Sequence, residues 1–117
     1  MYGNGQNPSS ILSQLDKSLE NGEKVFNMSG GEQLRDYLPV EILSEYIVKI
    51  SLQHKIKGII NCCSGVPISI RKLVEEHLRK KQKEIDLNFG YYPYPEFEPM
   101  AFWGDTRKME MALEAPA

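Results

Sequence analysis

Two histidines, His54 and His77, and two cysteines, Cys62 and Cys63, are all the imidazoles and thiols that 117 residues offer. Neither histidine has a partner at metal or catalytic spacing. His77 reads as a helix-face residue against the core, and His54 as a residue near the C-terminal dipole of a helix. Adjacent cysteines rarely pair, because the ring they close is strained, and two sulfurs alone do not make a zinc site. They are expected to be buried, reduced thiols, and the cytoplasm is the default compartment. Serines are plentiful, yet none occupies a G-x-S-x-G elbow. No apolar run approaches the roughly 20 residues of a spanning helix, and "MYGNGQNPSS" lacks the basic start and apolar centre of a signal peptide. A net charge of −2 leaves no global field to draw the chain to nucleic acid or to an anionic membrane. Any anion site has to be local.

What is present is an ordinary globular composition, 41% hydrophobic and 26% charged, in a length that suits one domain with a modest core. After a glycine- and asparagine-rich start, Ser9 or Ser10 is placed to cap a helix running to about Asn21, stopped by Gly22. Ile11, Leu12, Leu15 and Leu19 give it one apolar face. "EKVFNMSGG" predicts a short strand over 24–28. "RDYLPV" is extended, because Pro39 disfavours helix at Leu38. "VEILSEYIVKISLQ" follows as an amphipathic helix lined by Leu43, Ile47 and Ile50, with Ile42 and Tyr46 beside them. "KGIINCCSG" has the continuous apolar pattern of a strand covered on both faces. Ser69 caps a helix whose stripe is Ile70, Leu73, Val74, His77 and Leu78. Its wet side pairs Glu75 with Arg79 and Glu76 with Lys80. "IDLNFG" predicts another strand. "YYPYPEFEPM" is too proline-rich for regular structure, and its four aromatics need a surface to pack on. "FWGDTRKMEMAL" turns into a last helix capped by Asp105 or Thr106. No segment repeats. The element order has α/β character, although the strands are few and "GIINCC" needs neighbours that this chain is short of.

The chemistry-bearing candidates narrow quickly. "GNGQ" at 3–6 follows no strand and so fails the context of a dinucleotide loop. The basic residues between 71 and 83 are interleaved with Glu75, Glu76 and Glu84, the pattern of a solvated helix face rather than a nucleic-acid groove. Arg35 stands out in "GGEQLRDYLPVE". A guanidinium offers five fixed donors that match phosphate oxygens two at a time, and it follows a glycine turn at the mouth of an extended segment. Asp36 behind it can fix the loop by accepting backbone donors, and Phe26 on the preceding strand is a platform for a flat ring. From spacing alone two readings of Arg35 stay open, an anion site and a salt bridge that braces a turn.

"GEQLRDYLPVE", then a helix, then "GIINCCSGVPISIRKLVE" resembles the C-terminal half of extended short-chain dehydrogenases/reductases, the NAD-dependent epimerases and dehydratases of nucleotide sugars. That family runs R-D-Y/F-x-x-V, a helix, a strand of the type Y-N-I-G-S-G and a helix opened by S-I-R. "YGNGQ" is similar to its Y-G-x-G-Q loop, and "EPMAFWGDTRKME" to its closing E-P-M-x-x-x-G-D-x-S-K. The pieces cover residues 1–113 in order. The resemblance implies that Arg35 grips a substrate diphosphate. It sets Phe26, with Val25 and Asn27, beside the nucleotide base, and Gln6 in the loop bordering the sugar. Pro95 in "PYPEFE" stands where many relatives carry a second phosphate-binding arginine.

Two family features are absent from these residues: a glycine fingerprint after a strand, and the Y-x-x-x-K pair. Tyr37, Tyr46, Tyr91, Tyr92 and Tyr94 all lack a lysine four positions later. The resemblance therefore implies no cofactor site in this chain, with NAD(P) and hydride transfer belonging to an N-terminal Rossmann domain of a longer enzyme. Alone, the chain is expected to bind a nucleotide-diphosphate sugar without turning it over, and to self-associate through the apolar surface meant for that domain. The expected fold class is α/β. It is a small substrate-binding lobe of few short strands and about four helices spanning 1–113, lacking most of the Rossmann sheet, with a disordered tail at 114–117. The chain then starts at an internal methionine of the longer enzyme. The alternative is a non-catalytic stand-alone binding or assembly module derived from such an enzyme.

Overall fold

The computed structural model describes Gly3 and residues 7–116. The described residues form four helices and four very short strands, in the order α1 (Ile11–Glu20), β1 (Val25–Asn27), β2 (Leu34–Arg35), α2 (Val40–Leu52), β3 (Ile68–Ser69), α3 (Ile70–Lys81), β4 (Asp86–Asn88) and α4 (Arg107–Glu114). They form two separate two-stranded sheets. β1 and β4 pair in parallel, with Phe26 opposite Leu87. β2 and β3 pair antiparallel, with Arg35 opposite Ile68.

Local chemistry sets most boundaries. Ser10 accepts a hydrogen bond from the Ser13 amide and Ser69 one from the Lys72 amide, so each satisfies a donor that the first helical turn leaves open. α3 ends at Gln82, whose left-handed φ of 54° carries its N–H back to the Arg79 and Leu78 carbonyls. The last helix divides its cap between the two expected residues. Thr106 holds the N-cap position without a side-chain bond, while Asp105 accepts from the Arg107 amide at 3.0 Å.

The core is built from one face each of α1, α3 and β1. Leu15, Phe26, Met28, Val74 and Leu78 are buried together, and Ile11, Leu19, Ile70, Ile85, Leu87 and Phe89 pack around them. In β1 the alternation is visible residue by residue: Val25 and Asn27 face out and Phe26 faces in. His77, expected against the core, sits at its edge instead. Its Nε2 lies 2.7 Å from Asp16 Oδ1, and Lys81 reaches the same oxygen at 3.1 Å, tying α3 to α1. Burial pushes the Asp16 carboxyl up, but the His77 and Lys81 contacts outweigh it and hold the group below its ordinary value.

Several expectations fail, and they fail together. The strand expected over 57–65 is irregular backbone, with Ile59 85% exposed, because no neighbouring strand lies beside it to complete a ladder. Cys62 and Cys63 are free but half-buried rather than buried. α2 has the apolar side that its sequence promised, yet none of its residues is buried, and Ile47, Val48 and Leu52 are all more than half exposed. The four aromatics of 91–97 find little surface, and Phe97 is 96% exposed. Neither Glu75–Arg79 nor Glu76–Lys80 forms an ion pair, since the ion pairs among the described residues involve Arg35, His77, Lys81 and Arg107. Exposed pairs of that kind gain too little to hold two long side chains in one geometry.

The dimensions say the same. A compact chain of this length has a radius of gyration of about 13 Å; here it is 16.8 Å, with extents of 51 × 30 × 20 Å. Leu15→Ala is expected to cost about 2–5 kcal/mol in urea unfolding, since the cavity it leaves lies in the one continuous core. Ile47→Ser on the bare side of α2 should change stability by less than about 0.5 kcal/mol and reduce self-association in sedimentation.

Candidate functional site

The chain turns sharply at Gly30 and Gly31 before entering β2. Gly31 has φ of 72°, and the Arg71 amide at the start of α3 donates to its carbonyl at 2.9 Å. A β-carbon there would press on the Arg71 backbone, and one on Gly30 would occupy the place of the Tyr94 hydroxyl. Gly31 is required by its left-handed φ and by the close Arg71 backbone, whereas at Gly30 the Tyr94 side chain could give way. β2 is then fixed by backbone bonds on two sides: it pairs with β3, and Leu34 exchanges bonds with Met100 and Phe102 at 2.8 and 3.1 Å.

Asp36 follows immediately. Its Oδ1 accepts from the Ser64 amide and hydroxyl, both at 2.8 Å, and its Oδ2 from the amides of Gly65 at 2.9 Å and Gly104 at 3.1 Å. The loop-fixing role expected of it is thus carried out on segments 28 and 68 positions away. Burial pushes this carboxyl up, yet the Ser64, Gly104 and Gly65 donors together hold it below the ordinary value.

Arg35 is set by the same framework. Its side chain is 11% exposed. The guanidinium lies over the Phe102 ring, 4.4 Å from the centroid, and Nη1 donates to the Leu34 carbonyl at 2.9 Å. Its acidic neighbour is Glu98, with Oε2 3.7 Å from Nη2 and a side chain 60% exposed. That distance is beyond a hydrogen bond, so the positive charge is positioned without being tightly neutralised.

Phe26 lines two hollows. One, of about 240 Å³, runs from α1 (Ile11, Gln14) past Phe26 and Asn27 to Gln33 and to Tyr92, Pro93 and Pro95. The other, of about 290 Å³, adjoins it through Gln14, Asn27 and Tyr92 and adds Val25 and Lys17. Small-molecule pockets start near about 300 Å³, so each hollow suits part of a ligand rather than a whole one. Phe26 is itself 6% exposed and belongs to the core, which makes it the back wall of these hollows and not an open stacking face. The structure therefore brings Val25, Phe26 and Asn27 together and leaves Arg35 outside both hollows, joined to them through Gln33 and the 91–98 segment. Gln6 lies outside the described residues. Sequence reasoning passed over Tyr92, Pro93, Gln33, Glu98 and Phe102 as site residues. The signal available was the aromatic and proline density of 91–103, which called for a surface but did not say which.

Arg35 ends β2, Asp36 follows it directly, and α2 begins four residues further on at Val40. The chain matches, in sequence and in fold, the C-terminal lobe of extended short-chain dehydrogenases/reductases of the NAD-dependent epimerase/dehydratase family. A dTDP-6-deoxy-L-talose 4-dehydrogenase (NAD(+)) of Aggregatibacter actinomycetemcomitans is 33% identical over 95 residues, covering 81% of this chain and 35% of the relative. Among solved structures, a UDP-glucuronic acid 4-epimerase from Bacillus cereus in complex with UDP-glucuronic acid and NAD superposes with a TM-score of 0.75 at 25% identity, over 98% of this chain and 37% of the epimerase. A UDP-N-acetylglucosamine 4-epimerase from Methanobrevibacter ruminantium M1 in complex with UDP-N-acetylmuramic acid gives 0.79 at 21%, over 99% and 38%. No protein-family model matches the chain. It spans about a third of the length of the relatives it matches.

Because the Asp36 carboxyl is held below its ordinary value, its contribution to stability is complete above the unfolded-chain pKa of about 4 and drains away as pH falls through the lower folded value. Asp36→Asn, which turns an amide NH2 toward N–H donors, is expected to lose about 2–3 kcal/mol at pH 7 in urea unfolding. The gap to the wild type should close as pH drops below about 4. A gap that stays constant down to pH 2 would show that the charge is not what holds these segments.

Proposed function

We propose that this chain is the nucleotide-sugar-binding lobe, spanning 1–113, of an NAD-dependent epimerase, dehydratase or reductase, and that Arg35 grips the substrate's diphosphate. The observation that carries the reading is the state of Arg35. A cation 11% exposed, stacked on Phe102 and oriented by a carbonyl, has only a loose, solvent-exposed carboxylate opposite it. A guanidinium held in this way keeps donors free to meet two phosphate oxygens. Phe26 backs the hollow for the base, Asn27 stands on its rim with Tyr92 closing the other side, and Val25 lines the adjoining hollow. The similarity to enzymes whose names specify dTDP- and UDP-sugars supports the same ligand class here.

In this reading the two hollows are half of a site, and the other half comes from the portion of the enzyme that holds NAD. When bound there, NAD would accept and return the hydride. This chain's residues bind and orient: Arg35 fixes the diphosphate, and the hollow fixes the base, so the sugar is presented at a set distance from both. The bare side of α2 and the unpaired 57–65 segment are the surfaces that meet the rest of the enzyme.

Calorimetric titration of UDP-, dTDP-, GDP- and CDP-sugars tests this. One nucleotide class should bind, and Arg35→Ala should weaken it at least tenfold, about 1.4 kcal/mol. Binding that Arg35→Ala leaves unchanged would return Arg35 to the role of a turn brace.

A further inference from the structure

Glu98 is the carboxylate nearest to the charge that the proposed site depends on, and the segment carrying it also walls the hollow. The chain from Tyr91 to Gly104 is anchored at both ends. The Tyr91 amide donates to the Met28 carbonyl at 2.9 Å, and at the far end Met100, Phe102 and Gly104 bond to Leu34 and Asp36. Between these anchors the attachments are sparse. The Tyr94 hydroxyl accepts from the Glu32 amide at 3.3 Å, Glu98 faces Arg35, and Phe97 stands almost wholly in solvent. Tyr92, Pro93 and Pro95, at the start of this span, line the hollow behind which Phe26 sits.

We propose that Glu98 is a displaceable counter-ion for Arg35, so that an entering diphosphate evicts it and thereby moves the 93–99 span that walls the base hollow. This rests on the reading of Arg35 as the diphosphate grip. Three features support it. At 3.7 Å the pair is an ion pair without a hydrogen bond, so a phosphate oxygen at hydrogen-bond distance replaces it with a shorter, stronger contact. The Glu98 side chain, 60% exposed, returns to water on leaving, while Arg35 stays stacked on Phe102. The Glu98 amide donates to the Pro95 carbonyl at 3.4 Å, so the turn that presents Glu98 also carries Pro95, which lines the hollow. Diphosphate binding and the shape of the hollow are then linked, and occupation of either favours occupation of the other.

Titrations of inorganic pyrophosphate and of UDP and dTDP into the wild type, Glu98→Gln and Arg35→Ala test this. Removing an exposed competing carboxylate should tighten pyrophosphate and the bound nucleotide by about two- to fivefold, and Arg35→Ala should abolish the gain when combined with Glu98→Gln. Detectable binding by Glu98→Gln alone supports the proposal as well. If the wild type binds and Arg35→Ala does not, the site reading stands; Glu98→Gln affinity equal to or below the wild type then overturns the counter-ion role, since Glu98 would be neutral or a ligand contact. If no form binds any of the three ligands, the counter-ion proposal and the site reading fall together.

Discussion

The carboxylate of Asp36 is where three stretches of chain meet. It follows β2 directly, and it collects donors from Ser64 and Gly65, which precede β3, and from Gly104, which precedes α4. None of these stretches lies in a sheet wide enough to fix it by backbone pairing alone. Four short donor contacts to one charged group do that work in a small space, and each is stronger for being charge-assisted. Arg35 is its neighbour in sequence, so the position of the guanidinium over Phe102 is inherited from this knot rather than from a large core.

The same shortage of sheet explains the uneven packing. One half of the molecule, where α1, α3, β1 and β4 meet, buries a continuous core around Leu15 and Val74. The other half has α2 lying against α4 with its apolar side bare, and an apolar segment at 57–65 without a ladder. Those sequences are shaped for neighbours that the described residues do not provide. The expanded radius of gyration is the global form of the same fact.

How far the sequence could be read follows from this division. Signals confined to a few residues held: the serine caps of α1 and α3, the short strand within 24–28, and the break before Pro39. Periodicity also identified the apolar side of α2. But a periodic pattern says that some neighbour covers a face, not that the neighbour lies in the same chain, and so 57–65 has the pattern of a covered strand while its backbone is irregular here. At the site, Arg35 and Asp36 were visible because a charge before an apolar run needs a reason. Glu98, Phe102 and Tyr92 were not, since they reach Arg35 and Phe26 across more than 60 positions of chain through backbone bonds to Met28 and Leu34 that no local pattern encodes.

Function enters where the knot and the core adjoin. The hollows beside Phe26 belong to the well-packed half, and Arg35 to the half held by Asp36; in the proposed reading, a ligand that spans base and diphosphate touches both. The most direct measurement is an amide-resolved NMR titration of the chain with the nucleoside diphosphate that binds. The account predicts that resonances around 25–29 and around 34–36 shift together along one saturation curve, with those of 92–98 following them. Shifts confined to other surfaces, or at one of these two segments without the other, would contradict it.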